Sequence, residues 1–228
     1  MRFDRCAVLF KLKKSGPKDE EPYWTYEDIG VFCLILAVLN PILRLSVRLR
    51  ILPRSELENP GLGLQFAVTV FLMLALYLVL KLRHTQPVLR PLGWVWPSTA
   101  HVILAPLLGV LLASSVAVYL RLLGQSAPTM PLVEMVVLGL VLGPILEESF
   151  FRGCLLPVLA DTVGEILAVV ISAFLFALFH SPANLAHWVS FTGTSVAYGW
   201  IRVTSRSTTA AALMHAAYNL ALFLFTNS

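Results

Sequence analysis

The fold is decided by residues 131–156, which read PLVEMVVLGLVLGPILEESFFRGCLL. This apolar run suits the interior of a lipid bilayer except where Glu147 and Glu148 interrupt it. A carboxylate in the middle of a membrane helix costs roughly 2.5–3.5 kcal/mol on insertion scales. Two adjacent carboxylates at that depth therefore indicate a functional role.

The composition of the whole chain indicates that its solvent is lipid. Hydrophobic residues make up 57% of the 228 residues and charged residues only 13%, and the mean hydropathy is +0.78. Such a chain is typical of an integral membrane protein with several spans. The net charge is +4, and the lysines and arginines gather in the N-terminal tail and at the ends of apolar segments. This placement favours topology signals and contact with anionic headgroups over nucleic-acid binding.

Seven apolar segments are long enough for a helix, at about 1.5 Å per residue. They cover residues 29–47, 61–81, 101–123, 131–146, 163–180, 186–201 and 208–226. We therefore predict an all-α fold, a polytopic membrane helical bundle of about seven transmembrane helices. Residues 29–228 form its single transmembrane domain. Residues 1–28 are charged and rich in turn formers, so they form a cytosolic or interfacial tail.

Positive charges beside the apolar segments predict the orientation. Six Lys or Arg residues precede the first segment and three more follow the second, which favours a cytosolic N-terminus. Arg48, Arg50 and Arg54 lie at the opposite end and argue against it. We expect the polar residues of the later helices, with the Arg152 end of their helix, to open towards the cytosol. The favoured location is the bacterial inner membrane rather than the endoplasmic reticulum.

The three cysteines do not suggest a disulfide or a metal site. Cys6, Cys33 and Cys154 match neither a disulfide framework nor a zinc-binding spacing. We expect them to be buried free thiols. The N-terminal residues also lack the order of charge, apolar run and cleavage site that a signal peptide has, so no cleaved signal peptide is expected.

Helical geometry separates the roles of the two carboxylates. Glu148 and Arg152 are four residues apart, on one helix face, with the acid before the base. This is the favourable order for an ion pair. Glu147 is rotated by about 100° from Glu148 and cannot face the same partner equally well. We predict that Glu148 is structural and that Glu147 is available for chemistry.

Polar side chains in two later segments can join this pair. His180 closes the fifth segment, one turn after Phe176, while His215 and Asn219 are four residues apart on the seventh. If these groups face the bundle interior, they supply a base, a proton carrier and hydrogen-bond donors. Such a set can activate water and hold an oxyanion. We therefore predict hydrolysis in a water-filled cavity among the fourth, fifth and seventh segments.

Three short motifs contain these residues and carry a resemblance to a known family. Glu147 to Arg152 reads E-E-x-x-x-R, Phe176 to His180 reads F-x-x-x-H, and His215 to Asn219 reads H-x-x-x-N. In this order they resemble the CAAX protease and bacteriocin-processing family (CPBP, or Abi), intramembrane glutamic proteases that include the type II CAAX prenyl endopeptidases. The resemblance covers about residues 131–222. Flanking residues agree with it: Gly143-Pro144-Ile145, Phe151-Arg152-Gly153, Phe191-x-Gly193 and Tyr198-Gly199.

The resemblance implies a role for each motif residue. Glu147 would be the general base, and His180 would help to hold and deprotonate the attacking water. His215 and Asn219 would stabilise the oxyanion, while the second glutamate and the arginine would fix the helix. The implied activity is hydrolysis of a peptide bond without a covalent intermediate. The implied partners are the bilayer and a membrane-associated or lipidated peptide, including prenylated CAAX-type peptides.

Structural interpretations of the same residues stay open. The carboxylates could lie among headgroups, Arg152 could be a snorkelling anchor, and each histidine could be a hydrogen-bonding residue between helices. We expect Phe176 to pack around the site. Three polar residues without a motif partner are expected to be structural: His101, Glu134 and His187. His84, beside Arg83, is expected to be solvated.

Two functional alternatives also remain. Glu147, His180 and His215 could supply a His₂Glu set for zinc. The sequence has no His-Glu-x-x-His run, so we expect no metal and no other cofactor. The rival class is a non-enzymatic membrane protein, either a bacteriocin-immunity-like protein or a small proton-coupled transporter. Many transporters have two related halves, and no such symmetry is visible here.

Overall fold

Helices build the described part of the chain. The computed structural model describes residues 23–84, 87–127 and 130–227, and these contain no β-strand. Each of the seven predicted apolar segments corresponds to one long helix, and most of the predicted tail lies outside the described residues. The helices are α1 (Tyr26–Arg48), a short α2 (Arg54–Glu58), α3 (Leu62–Arg83), α4 (Thr99–Leu122), α5 (132–163), α6 (Glu165–Phe179), α7 (Leu185–Ser205) and α8 (Thr208–Asn227).

α5 is a continuous helical run in which two stretches are wound more widely than an α-helix. The run ends at Gly164, whose positive φ of 82° suits glycine. The predicted segment 131–146 was therefore too short, because the helix continues through the carboxylate pair and past Arg152. The α-helical parts are Leu132–Glu134, Gly143–Glu148 and Leu156–Val163, and the π-helical parts between them are Met135–Leu142 and Ser149–Leu155.

The lengths and compositions of the helices fit a membrane protein. Within the described residues, α1, α3, α4 and α8 are each long and apolar enough to cross a membrane. The apolar α6 is shorter, at 15 residues. The predicted all-α, polytopic helical bundle is thus confirmed.

One end of the bundle, which we call the proximal face, is where α1 begins. The Tyr26 hydroxyl lies 2.6 Å from the Thr162 hydroxyl at the end of α5. Asp28 is buried and binds Arg83 at 2.5 Å and His84 at 2.9 Å at the end of α3. The prediction of a solvated His84 is therefore wrong, because its imidazole joins this buried carboxylate.

The opposite end, which we call the distal face, is where α1 terminates. There α7 begins beside the end of α4, with His187 Nε2 lying 3.1 Å from the Ser126 carbonyl oxygen. The start of α3 meets the start of α5, where the Gln65 amide donates to Glu134 at 3.5 Å. α1 therefore runs from the proximal to the distal face, whereas α3 and α5 run in the opposite direction.

Aromatic packing holds the middle of α5 in place. The Phe150 ring lies 4.9 Å from the Phe32 ring of α1, and the Phe151 ring lies 5.1 Å from the Phe176 ring of α6. Since lipid tails are as apolar as these side chains, the stabilisation comes from close packing rather than from removal of water. Phe176 has the packing role predicted for it.

The cysteines of the described residues are free thiols. Cys154, on α5, is buried as predicted. Cys33 is exposed on α1, so the prediction of burial is wrong for this residue. A thiol is apolar enough to lie on the outer surface of a membrane helix. Cys6 lies outside the described residues.

Candidate active site

The two carboxylates lie near the middle of α5, in the short α-helical part between its two π-helical stretches. Wide turns of this kind occur often at functional sites. Glu148 is fully buried, whereas 27% of the Glu147 side chain is exposed. The two adjacent residues therefore occupy different environments.

Glu148 forms the ion pair that its spacing predicts. Arg152 Nη1 lies 3.2 Å from Glu148 Oε1, and both side chains are buried. The other guanidinium nitrogen donates to the Ser195 carbonyl at 2.8 Å and to its hydroxyl at 2.5 Å. The guanidinium also lies 4.9 Å from the centre of the Phe176 ring, which adds a cation–π contact. Arg152 thus links α5, α6 and α7.

His215 of α8 contacts both carboxylates. Its Nδ1 lies 2.8 Å from Glu148 Oε1, and its Nε2 lies 3.9 Å from Glu147 Oε2. The predicted division of roles is therefore incomplete, because Glu148 also orients a histidine. An ionised carboxylate only accepts hydrogen bonds, so the contact with Glu148 places a proton on Nδ1.

His180 approaches Glu147 from the other side, just beyond the end of α6. Its Nε2 lies 3.7 Å from Glu147 Oε2, and its Nδ1 donates to the Phe176 carbonyl at 2.9 Å. Its ring stacks on Phe191 of α7, with centroids 4.7 Å apart. The carbonyl fixes the proton on Nδ1 and leaves Nε2 directed at the carboxylate. Both histidines thus present Nε2 to Glu147.

Asn219 lies one turn after His215 on α8. Its amide donates to the Gly139 carbonyl at 2.8 Å, within the first π-helical stretch of α5. This bond fixes the side chain at the wall of the same cavity that Glu147 lines. The structure thus brings all four predicted catalytic residues to one place, with Asn219 bonded to α5 rather than to the acid or the histidines.

A cavity of about 390 Å³ contains the site. Glu147, His180 and Asn219 line its inner part, whereas Ala127, Met130 and other residues line the part near the distal face. The cavity therefore reaches the end of the bundle opposite the start of α1. The start of α1 and the cavity therefore lie towards opposite ends of the bundle, so the predictions of a cytosolic N-terminus and of a site open to the cytosol exclude each other. The Arg152 side of the site is closed by packing, because Arg152 is fully buried.

α7 contributes residues to the site that the sequence prediction did not include. Besides Ser195 and Phe191, it supplies Tyr198, whose ring stacks on His215 at 4.6 Å and 19°. The Tyr198 hydroxyl is buried and has no hydrogen-bond partner among the described residues. The sequence contains a signal for two of these residues, because Phe191-x-Gly193 and Tyr198-Gly199 are among the flanking residues that agree with the family resemblance.

The remaining predicted polar residues lie in the structural roles expected of them. His101 Nδ1 lies 2.8 Å from the Ser98 hydroxyl, and Glu134 meets Gln65 at the distal face. His187 bonds Ser126 and also lines the outer cavity. Across the described ranges, no group of three or more His, Cys, Asp or Glu side chains has a geometry that could hold a metal ion.

The comparison with known families agrees with the motifs. Residues 128–221 match the family model described as Rce1-like, type II CAAX prenyl endopeptidase Rce1-like. The match covers somewhat less than half of the chain and includes Glu147, His180, His215 and Asn219. Residues 128–221 are thus similar to the Rce1-like domain, which supports the resemblance to the CPBP family. No curated protein and no solved structure matches the chain.

Proposed function

We propose that the chain is an intramembrane endopeptidase of the glutamic type that hydrolyses a peptide bond with water activated by Glu147. One observation carries the proposal: Glu147 Oε2 lies 3.7 Å from His180 Nε2 and 3.9 Å from His215 Nε2, at the wall of a cavity. Both separations exceed the roughly 2.7–3.2 Å of a direct hydrogen bond. Polar groups at this separation can share a water molecule.

In the proposed reaction, Glu147 takes a proton from water as the water oxygen bonds to the carbonyl carbon of the substrate. The carbonyl electron pair moves onto its oxygen. The peptide bond then breaks, and Glu147 passes the proton to the leaving nitrogen. His180 Nε2 accepts a hydrogen bond from the second hydrogen of the water and so orients the attacking oxygen. No covalent bond to the protein forms at any step.

The oxyanion would be held by His215 and Asn219. The Asn219 amide has two hydrogens, and one of them is bonded to Gly139, so the other is available to the substrate. As an imidazolium, His215 would donate from Nδ1 to Glu148 and from Nε2 to the oxyanion. Asn219 and His215 share one face of α8, which aligns their donors.

The proposed substrate is a membrane-associated peptide, with a prenylated CAAX-type peptide as the first one to test. The description of the matched family names prenyl endopeptidases. The cavity is also lined by apolar side chains such as Leu120, Met135 and Phe223, which suit a substrate that carries an apolar attachment. The proposed location is the bacterial inner membrane, and no metal or cofactor takes part.

The test is cleavage of a prenylated CAAX peptide and of the same peptide without its lipid by the purified protein in proteoliposomes. Glu147→Gln preserves the side-chain volume but removes the base, so we expect activity to fall by at least about 10²–10⁴-fold. Glu134→Gln is the matched control, because it makes the same change on the same helix outside the site. His180→Ala should also abolish cleavage, whereas His101→Ala should not.

Full activity of Glu147→Gln or His180→Ala would contradict the mechanism. Equal cleavage of both peptides would contradict the need for a lipid. A zinc chelator should leave activity unchanged. If activity were lost with the chelator and restored by stoichiometric zinc, the metal-free assignment would be wrong.

A further inference from the structure

We propose that a second cavity, near the proximal face, binds one phospholipid with an anionic headgroup. An acyl chain of the lipid would lie in the cavity, and its phosphate would lie between Lys81 and Arg90. The proposal does not depend on the proposed peptidase activity, because the second cavity shares no lining residue with the cavity that contains Glu147.

The second cavity has a volume of about 360 Å³ and lies between α3, α5 and the connection that precedes α4. This volume is within the roughly 300–1,000 Å³ of small-molecule sites. α5 contributes Ile145 and Ser149, which are two residues before and two residues after Glu147. At 3.6 residues per turn, both lie about 160° around the helix from Glu147. The cavity thus borders the opposite side of the helix that carries the candidate active site.

The walls of this cavity suit an apolar occupant. Most of its lining side chains are aliphatic, and the indole of Trp94 already donates to the Ser149 hydroxyl at 2.9 Å. Tyr77 and Leu89 line the cavity and are 45% and 61% exposed, so the cavity opens to the outside of the bundle. An empty apolar void would forfeit dispersion contacts, and an acyl chain of the surrounding bilayer supplies them.

Two basic residues beside the opening select the charge of the headgroup. Lys81 is one turn after Tyr77 on the same face of α3, and Arg90 directly follows Leu89. Both side chains are exposed, and within residues 23–84, 87–127 and 130–227 neither forms an ion pair with an Asp or Glu. A lipid phosphate would supply the missing counter-ion. Basic residues beside a groove between membrane helices are typical of anionic-lipid sites.

The aromatic residues of this region lie at the depth that such a lipid requires. Trp96, in the same connection as Arg90, is 77% exposed, and exposed tryptophans of membrane proteins mark the headgroup level. Tyr77 lies six residues, or about 9 Å, before the end of α3. The long stem of Lys81 can follow the apolar surface and place its ammonium group among the phosphates. The cavity thus begins just below the headgroups, where an acyl chain starts.

Native mass spectrometry of the purified, delipidated full chain in detergent tests this site. Phosphatidylglycerol and phosphatidylcholine with identical acyl chains are added in turn, and the lipid molecules retained per protein are counted. Each basic residue near an anionic lipid contributes about fivefold in affinity, so two contribute roughly 30-fold. We expect one phosphatidylglycerol per chain to be retained in preference to phosphatidylcholine, and the preference should weaken as salt is added.

The double variant Lys81→Gln, Arg90→Gln tests the charges. We expect it to lose phosphatidylglycerol affinity by roughly 30-fold and to bind the two lipids equally. The matched control is Arg48→Gln, Arg121→Gln, which makes the same change at two exposed positions at the distal ends of α1 and α4. This control should keep the preference of the unsubstituted protein.

Met73→Trp tests the cavity itself, because Met73 lines it and a larger side chain would occupy its volume. We expect this variant to retain no phosphatidylglycerol. Leu74→Trp is the control, since this neighbouring side chain is 54% exposed and does not line the cavity. If Met73→Trp does not fold, the charge variants still decide the proposal, because they change only exposed side chains.

Three outcomes would overturn the inference. Equal retention of the two lipids by the unsubstituted protein would mean that the charges select nothing. An unchanged preference in the Lys81→Gln, Arg90→Gln protein would place the lipid elsewhere. Retention of phosphatidylglycerol by a folded Met73→Trp protein would show that the cavity does not hold the acyl chain.

Discussion

Glu148→Gln removes the negative charge of the buried pair and leaves the shape of the side chain unchanged. The amide oxygen can still accept from Arg152 and from His215, because both bonds go to the same oxygen, Oε1. The amide nitrogen would take the place of Oε2, which has no partner in the described structure. The substitution therefore tests the charge rather than the packing.

The expected loss of stability follows from the burial of Arg152, which is fully buried. Leaving one partner of a buried ion pair uncompensated costs about 3–5 kcal/mol. Two acceptors on Ser195 remain, so we expect the lower part of this range, about 3 kcal/mol. For a protein of this size, that corresponds to an unfolding temperature lower by about 6–12 °C.

Activity should fall as well, because the Nδ1–H of His215 loses a charged acceptor. A hydrogen bond to a charged group contributes about 1.5–3 kcal/mol. If this stabilisation is lost only in the transition state, kcat should fall by about 10–100-fold. The KM should change much less, because Glu148 is fully buried and does not contact the substrate.

The buried Cys154 provides the assay for stability. A thiol-reactive fluorophore reports its exposure during heating of a Cys6→Ala, Cys33→Ala protein in detergent. If Glu148→Gln unfolded at the same temperature as the protein that keeps Glu148, the argument from charge would be refuted. The double variant Glu148→Gln, Arg152→Met carries no unpaired buried charge and should recover part of the loss. If it is no more stable than Glu148→Gln, the loss has another cause.

Two further substitutions test contacts around the site. Tyr198→Phe should retain kcat, because the ring alone stacks on His215. Tyr198→Leu removes this stacking and should lower kcat by about 3–10-fold. A large loss of kcat in Tyr198→Phe would instead assign a role to the hydroxyl. Gly153→Ala should lower stability by about 1–3 kcal/mol, because its Cβ would lie 2.7 Å from the Leu92 carbonyl oxygen. Gly193→Ala, whose Cβ would meet nothing within 4 Å, should not destabilise the protein, and equal shifts in unfolding temperature would contradict this explanation.

Features that depend on a single helix could be predicted from the sequence. The ion pair of Glu148 and Arg152 needs only a separation of four residues, and it persists although a π-helical stretch begins between the two residues. The all-α membrane fold likewise follows from the length and hydropathy of separate segments. The boundaries of α5 could not be predicted, because the polar pair interrupts the apolar run in the sequence but not the helix.

Features that depend on packing between helices were missed. The bond from His215 to Glu148 requires the register of α8 against α5, which no spacing in the sequence specifies. The same holds for Ser195, since a serine in an apolar helix has many possible partners. The side on which the cavity opens depends on the direction in which α5 crosses the bundle. Each of these features appears only when two or more helices are placed together.

The geometry of His215 explains why two diverging carboxylates belong to one site. Adjacent residues of a helix point about 100° apart, so Glu147 and Glu148 cannot approach one atom of a partner together. An imidazole can lie between them, because its two nitrogens are on different edges of the ring. Nδ1 meets Glu148 at 2.8 Å, while Nε2 faces Glu147 at 3.9 Å. The imidazole of His215 therefore connects the buried Glu148 to Glu147, the proposed base. For this reason Glu148→Gln should alter kcat as well as stability, although Glu148 itself cannot contact the substrate.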